Sequence, residues 1–345
     1  MKGAAIRALK PLSFPFQTQS PFLFAVYHLD AYPEGMKDPD GTPNMRVNRP
    51  LHNHNIGADF HHPDGWSMYH GMSGIPGFPQ HPHRGFETVT VCRTGLVDHH
   101  DSLGCAGRFG NGDAQWMTAG RGVSHSEMFP CVNTDAPNPL DLFQIWLLLP
   151  AAKRMVEPYF TMLWGEKLPK VEGGGVKVAA IADGARMLGE DAAPPPPPPD
   201  SWAHDPANEV AILTITLQPG SSWTIPPASK GVNRSLFFFK GDKVDVDGKQ
   251  LDAHANLHLD PAAECAVSNS GSALAELLLL QGKPVTDPTV QRGPFVMGSD
   301  AEIQQAFMDY RMGKFGAWPW PTDDPVAPAN ETRFARYADG RVERP

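Results

Sequence analysis

Glycine and proline interrupt this chain too often for long helices: 33 and 36 of its 345 residues, together a fifth of the total. Proline lacks the N–H that a helix or ladder needs, and glycine is costly to fix in either. What survives between such breaks is short. Short apolar segments rich in Val, Ile, Thr and aromatics read as strands. In the first half "FETVTV" (86–91), "DAQWMTAG" (113–120) and "LFQIWLLL" (142–149) have this character. In the second half "GVKVAAI" (175–181), "EVAILTITL" (209–217), "RSLFFF" (234–239) and "LAELLLL" (274–280) repeat it. Turn sequences such as "QPGS" (218–221) and "DGK" (247–249) join them. The expected fold class is all-β, as two tandem barrels that divide near residues 150–175.

Three segments depart from this pattern. Residues 31–79 are rich in His, Pro, Gly and Asp, with little periodicity, and read as an insertion-like loop or a lid. Pro194–Pro199 is an unbroken proline run, extended by necessity and read as a stiff surface loop. The polar, proline-rich end, 316–345, reads as a flexible tail. Just before it, "DAEIQQAFMDYRMG" (300–313) places Ile303, Phe307 and Tyr310 at helical spacing, with Asp300 as N-cap and Gly313 closing the helix.

Charge and composition remove several function classes. The net charge is −9, and no run of Lys or Arg is present to neutralise phosphates, so direct nucleic-acid binding is not expected. The longest apolar runs, such as "LFQIWLLLP", are far short of a membrane span of about 20 residues. The start carries basic residues but no continuous apolar segment of the secretory kind. Cys92, Cys105, Cys131 and Cys265 are scattered, without a CxxC. A soluble, reduced, cytoplasmic protein is expected.

The chemistry concentrates in "HPHRGFETVTV" (81–91). In a strand, residues two apart share a face, so His81 and His83 can aim at one point. "SHSEM" repeats the spacing with His125 and Glu127. Two strands that each offer such a pair supply three imidazoles and a carboxylate, enough to hold a divalent cation with positions left open. Hydrogen-bonded core histidines would give the same spacing. Glu87 shares strand parity with His81 and His83 and competes with Glu127 as the carboxylate. Arg84, Gln115 and Thr118 are candidates to orient the imidazoles through their second nitrogens. In the second half His254 and His258 lack a matching partner pair and read as surface or turn residues. His52, His54, His61, His62 and His70 in the 31–79 segment read as solvent-facing, or as parts of a lid.

"FPQHPHRGFETVT", "GDAQWMTAGRGVSHSEM", "RMVEPYF" and "GPFVMGSDAEIQQAFMDYRMGKFG" resemble the pirin family, and the likeness runs in order through most of the chain. "PFLFAVYHLD" (21–30) and "GKPVTDPTVQRGPFVM" (282–297) extend it. The resemblance implies a bicupin of two jelly-roll barrels. The first, over 1–155, would carry the metal site, and the second, over 156–315, would be metal-free. It implies His81, His83, His125 and Glu127 as ligands, with Glu127 preferred over Glu87. It also implies iron, Fe(II) or Fe(III), as the usual metal. The nitrogen and oxygen donors by themselves also suit Mn, Ni, Cu or Zn.

Two functions follow from the resemblance. One is a dioxygenase of the quercetin 2,3-dioxygenase type, acting on a small flavonol-like substrate, with Glu127 accepting the 3-hydroxyl proton. The other is a non-enzymatic, metal- or redox-sensing regulator that works through a protein partner, a transcription cofactor or a control on a metabolic enzyme. With net charge −9, such a role would run through protein rather than DNA.

Overall fold

Alternating Val and Thr from Phe86 make a strand that continues to Thr94, and its first seven residues are all buried. β-branched side chains stiffen an extended backbone and pack well on a pleated surface. The other anticipated segments also form strands, among them Asp113–Thr118, Asn138–Leu148, Val176–Ala182, Ala211–Leu217, Asn233–Lys240 and Ala275–Gly282. The computed structural model describes residues 5–345, and its only α-helices among them are Gly184–Leu188 and Asp300–Arg311. The longer helix matches expectation except at its start. Ser299, not Asp300, is the N-cap, its side chain accepting from the Glu302 amide at 3.3 Å. Its buried stripe is Ile303, Ala306 and Asp309. Among the described residues no helix is long and apolar enough to cross a membrane.

The chain divides into two units that are not consecutive halves. One comprises residues through Val26, Ile145–Pro150 and Lys167–Thr286. Its main sheet has seven strands in the order Ile6–Pro11, Ala255–Leu259, Asn233–Lys240, Ala275–Gly282, Ala211–Leu217, Val176–Ala182 and Lys170–Gly173. A four-stranded sheet accompanies it, and Leu213, Leu236, Phe238, Leu257, Leu277 and Leu279 fill the core. The N-terminal segment thus serves the barrel of the second half, since Ile6–Pro11 covers an otherwise open edge at Ala255–Leu259.

The other unit comprises Tyr27–Gln144, Ala151–Glu166 and Asp287–Pro345. A five-stranded sheet runs in the order Tyr159–Leu163, Asp113–Thr118, Phe86–Thr94, Asn138–Leu148 and Phe22–Tyr32. A six-stranded sheet runs Val342–Glu343, Phe334–Arg336, Ala106–Gly110, Leu96–Asp101, Val123–Met128 and Gly77–His83. The end of the chain, expected as a flexible tail, is therefore ordered. Phe334–Arg336 pairs antiparallel with Ala106–Gly110, and Arg108 donates to the carbonyls of Ala327, Pro328 and Glu331. A polar, proline-rich composition lacks a continuous apolar signal, and here buried polar contacts act together with a few scattered apolar anchors, Ala327, Phe334 and Ala335.

Within 31–79, short strands Gly35–Lys37 and Pro43–Val47 pair, and the remainder is turns pinned by isolated bridges such as Asp59–Tyr69. The proline run forms neither helix nor strand.

Candidate metal centre

The strand Gly77–His83 is bracketed by two glycines that no other residue replaces easily. Gly77 has φ +132°, and a Cβ there would fall 2.5 Å from the Glu127 carbonyl oxygen. Gly85, at φ +85°, turns the chain into the next strand, and its Cβ would fall 1.8 Å from the Val296 oxygen. Between them the strand pairs antiparallel with Val123–Met128, placing His125 opposite His81 and Val123 opposite His83. The register then slips, because Glu127 lies opposite Phe78. That bulge falls at Pro79 and Gln80, where proline has no ladder N–H to give. Its carbonyl turns inward and lies 2.8 Å from Nδ1 of His81. Since a carbonyl only accepts, Nδ1 carries the proton and Nε2 keeps its lone pair.

His81, His83 and His125 each offer one donor atom, and these lie within 4.8 Å of one another. Their rings are 4.4–4.9 Å apart between centroids. Burial is the largest influence on all three, and it pushes His81 down to about 4 and holds His83 and His125 well below the ordinary imidazole value. Each also lies near another of these imidazoles or His99, which lowers it further. At neutral pH these are uncharged rings with lone pairs to give. His125 is fully buried, and among the described residues neither of its ring nitrogens has a hydrogen-bond partner. An unpaired buried N–H or lone pair costs roughly 1–3 kcal/mol, a cost that a bound cation removes. The donor set therefore fits a first-row divalent metal.

Glu127 shares the face of His125, as its spacing predicts, but it is not among the three groups that lie within 4.8 Å of one another. Its carboxylate is held from behind: Thr90 Oγ1 donates to Oε1 at 2.8 Å and Gln144 Nε2 donates to Oε2 at 2.7 Å. Burial weakens Glu127 as an acid, raising its pKa, while His99, Thr90 and Gln144 pull it back. Glu87 is also buried, and Thr118 donates to its Oε1 at 2.6 Å. Glu87 and Thr90 are three positions apart on one strand, so the two point to opposite faces, and Glu87 is turned away from the face that meets Glu127.

The orienting partners differ from those anticipated. Arg84 donates to the Arg121 carbonyl and to Asp309, at 2.6 and 2.9 Å, while Thr118 serves Glu87. Gln115 is fully buried, and its side-chain amide has no partner among the described residues. His99 was overlooked. It lies opposite Glu127 on Leu96–Asp101, stacks on Phe160 and sits 3.3 Å from Asp101 Oδ2. The same two-residue spacing in "DHHD" (98–101) places His99 and Asp101 on one face. Beyond His81 lies an aromatic wall: Phe78 contacts His81 edge-on at 6.3 Å, and Tyr69, Phe60, Phe129 and His28 surround Phe78. In the second half, His254 lies 3.2 Å from the Gly241 carbonyl.

Two strand-built barrels, one of them gathering three histidines on neighbouring strands, define a cupin-type two-barrel protein with a candidate metal site. Comparison with known proteins makes this specific. The Pirin family model matches residues 45–147, and the Pirin C-terminal cupin domain matches residues 212–316. The chain belongs to the pirin family. A pirin-like protein of Solanum lycopersicum is 36% identical over 247 residues, covering 71% of this chain and 79% of that protein. Human pirin is 34% identical over 244 residues, 70% and 78% of the two chains. A Pseudomonas aeruginosa protein named "Putative quercetin 2,3-dioxygenase" is 36% identical over 246 residues, 69% and 80%. Among solved structures, quercetin 2,3-dioxygenase from Acinetobacter baumannii superposes with a TM-score of 0.66 at 24% identity, covering 91% and 96%, a likeness of fold.

Proposed function

We propose that this protein is an iron-dependent dioxygenase acting on small flavonol-type substrates. His81, His83 and His125 hold the metal, and Glu127 serves as fourth donor and as proton acceptor. The observation that carries this reading is His125, whose two buried nitrogens are unpartnered beside two more neutral imidazoles. A bound first-row ion would supply Lewis acidity and a redox route to dioxygen. The chain's own residues supply the rest. Thr90 and Gln144 fix the Glu127 carboxylate, and burial makes it a better base than an exposed glutamate, suited to taking a proton from an enol or phenol near neutral pH. Phe78, Tyr69 and Phe60 offer flat apolar surfaces that suit a planar aromatic ring. The name carried by the P. aeruginosa relative supports the substrate class.

The test is anaerobic loading with Fe(II), followed by oxygen and quercetin, with the flavonol absorbance followed in time. Oxygen-dependent bleaching that is lost in His125→Ala supports the reading. No bleaching with iron, manganese, nickel, copper or zinc overturns it.

A second reading, a redox-sensing regulator that docks on a protein partner, draws on apolar side chains exposed in the 31–79 segment. Met72 is 84% exposed and Phe60 39% exposed. Under this reading the Fe(II) and Fe(III) forms retain different partners in a pull-down, and identical partners dismiss it.

A further inference from the structure

The 31–79 segment holds a second group of metal-type donors, separate from the barrel histidines. His54, His62 and Asp64 each present one donor atom, and the three lie within 4.8 Å of one another. We propose that these residues form a second metal site, taking a zinc-type divalent cation through two imidazoles and one carboxylate and leaving the remaining positions to water.

His54 is the anchor. Its side chain is 1% exposed, and its Nδ1 lies 2.6 Å from Oδ2 of Asp59, itself 3% exposed. The carboxylate accepts, so Nδ1 carries the proton and Nε2 keeps the lone pair. That Nε2 is buried and has no hydrogen-bond partner among the described residues. A carboxylate behind one ring nitrogen with a bare lone pair on the other is the arrangement that orients a histidine for a metal. Asp59 is held in turn by the Met68 amide at 2.6 Å, and the His54 ring packs on Trp66 at 4.2 Å. The anchor therefore has little freedom to turn away.

His62 is oriented in the complementary sense. Its Nε2 lies 3.2 Å from the Asn53 carbonyl, which fixes the proton there and leaves the lone pair on Nδ1. Nδ1 accepts only a long bond of 3.2 Å from the Asp64 amide, an exposed group that water can serve equally well. The same Nδ1 is 3.7 Å from Oδ2 of Asp64. Two acceptors at that distance repel unless a cation lies between them.

Zinc bonds of about 2.1 Å set tetrahedral donors roughly 3.4 Å apart. The His54 and His62 rings stack at 4.0 Å with 25° between their planes, so sharing an ion requires His62 to turn out of the stack while Asp64 swings in. Their side chains, 12% and 54% exposed, have solvent to turn through. Nitrogen and oxygen donors without sulfur suit zinc, nickel or copper, and Irving–Williams order favours copper where it is available. The consequence is mechanical. The ion would staple 54–64 at a point from which Phe60 and Tyr69 reach Phe78, the ring beside His81.

Cobalt(II) is the probe, because its visible spectrum reports coordination without turnover. The full chain, stripped with chelator and titrated, is expected to take two equivalents. His62→Ala and Asp64→Asn should each reduce this to one, with affinity at the lost site falling roughly tenfold or more. The His81→Ala/His125→Ala double variant should keep the complementary single equivalent, so failure of the barrel site and failure of this one read out separately. A stoichiometry unchanged by both His62→Ala and Asp64→Asn overturns the proposal. So does one equivalent in the intact chain that disappears with the barrel histidines. An ion pair of protonated His62 with Asp64 predicts that second result, together with a cobalt spectrum indifferent to His62→Ala.

Discussion

Gln144 Nε2 donates to Glu127 Oε2 at 2.7 Å from the neighbouring sheet of the same barrel, while Thr90 occupies the other carboxylate oxygen. The carboxylate next to the three histidines is thus fixed from behind by two donors, both of which favour its charged form. Removing either raises its pKa. The expected outcome for Gln144→Leu is an acid limb of kcat/KM for flavonol turnover displaced upward by about one pH unit, the equivalent of one lost charge-assisted hydrogen bond of roughly 1.5 kcal/mol. The pH–rate profile of the iron-loaded enzyme measures it. An unmoved limb with a uniformly lower rate would assign Gln144 to packing alone.

His125→Ala is expected to lower barrel metal content to a small fraction of wild type while leaving the fold largely intact. Among the described residues the side chain makes no hydrogen bond that the alanine would orphan, and neither of its nitrogens is committed elsewhere. The residual cavity costs about 1–3 kcal/mol. Elemental analysis of purified protein, alongside far-UV circular dichroism, checks both halves of the statement. Wild-type iron content in the variant would remove His125 from the ligand set.

Strand parity made the histidine cluster legible. The HxH and HxE spacings needed only the two-residue repeat of a strand, and the structure brings His81, His83 and His125 together. What parity cannot give is the cross-strand register. Thr90 and Gln144 reach Glu127 from 37 and 17 residues away in sequence, and no local signal marks them. The bulge at Pro79 is likewise a product of pairing. The strands themselves were legible because apolar β-branched runs between breakers have few other uses. The last thirty residues were not, because their order rests on polar contacts to Arg108, on an edge strand and on isolated apolar residues such as Ala327 and Phe334, too sparse to make a hydropathy pattern.

His28 makes acid a selective threat to this fold. It is 4% exposed, and burial first, then the nearby His61, lower it from 6.5 to about 3. Its neighbours are Tyr69, Phe78 and Phe129. A lowered value means the unfolded chain binds the proton first. Its stabilising share is complete above pH 6.5 and erodes as pH falls toward 3. At pH 4.5 the loss from this one side chain is roughly 2–3 kcal/mol. His28→Phe suits the aromatic surroundings and removes the titration. Urea midpoints at pH 7.5 and 4.5 should therefore differ less in the variant than in wild type. Equal differences would mean that His28 escapes to solvent before it protonates.

Arg108 and Asp98 form a buried two-pronged ion pair, with both N–O distances 2.7 Å, and Asp98 also accepts from the Ala327 amide at 2.8 Å. The guanidinium spends its other hydrogens on the carbonyls of Ala327, Pro328 and Glu331, so one side chain ties the terminal segment to the barrel. Taking away one partner of a buried pair leaves the other charge uncompensated, at a cost of about 3–5 kcal/mol. Asp98→Asn keeps the shape and removes the charge, which makes it the cleaner probe. The expected result is a loss of that size in urea denaturation, preceded by selective opening of residues 320–345. Limited proteolysis should then release a C-terminal fragment from the variant at a protease dose that leaves wild type intact. If wild type and variant are cut at the same rate, the segment is held by Phe334–Arg336 pairing rather than by the arginine.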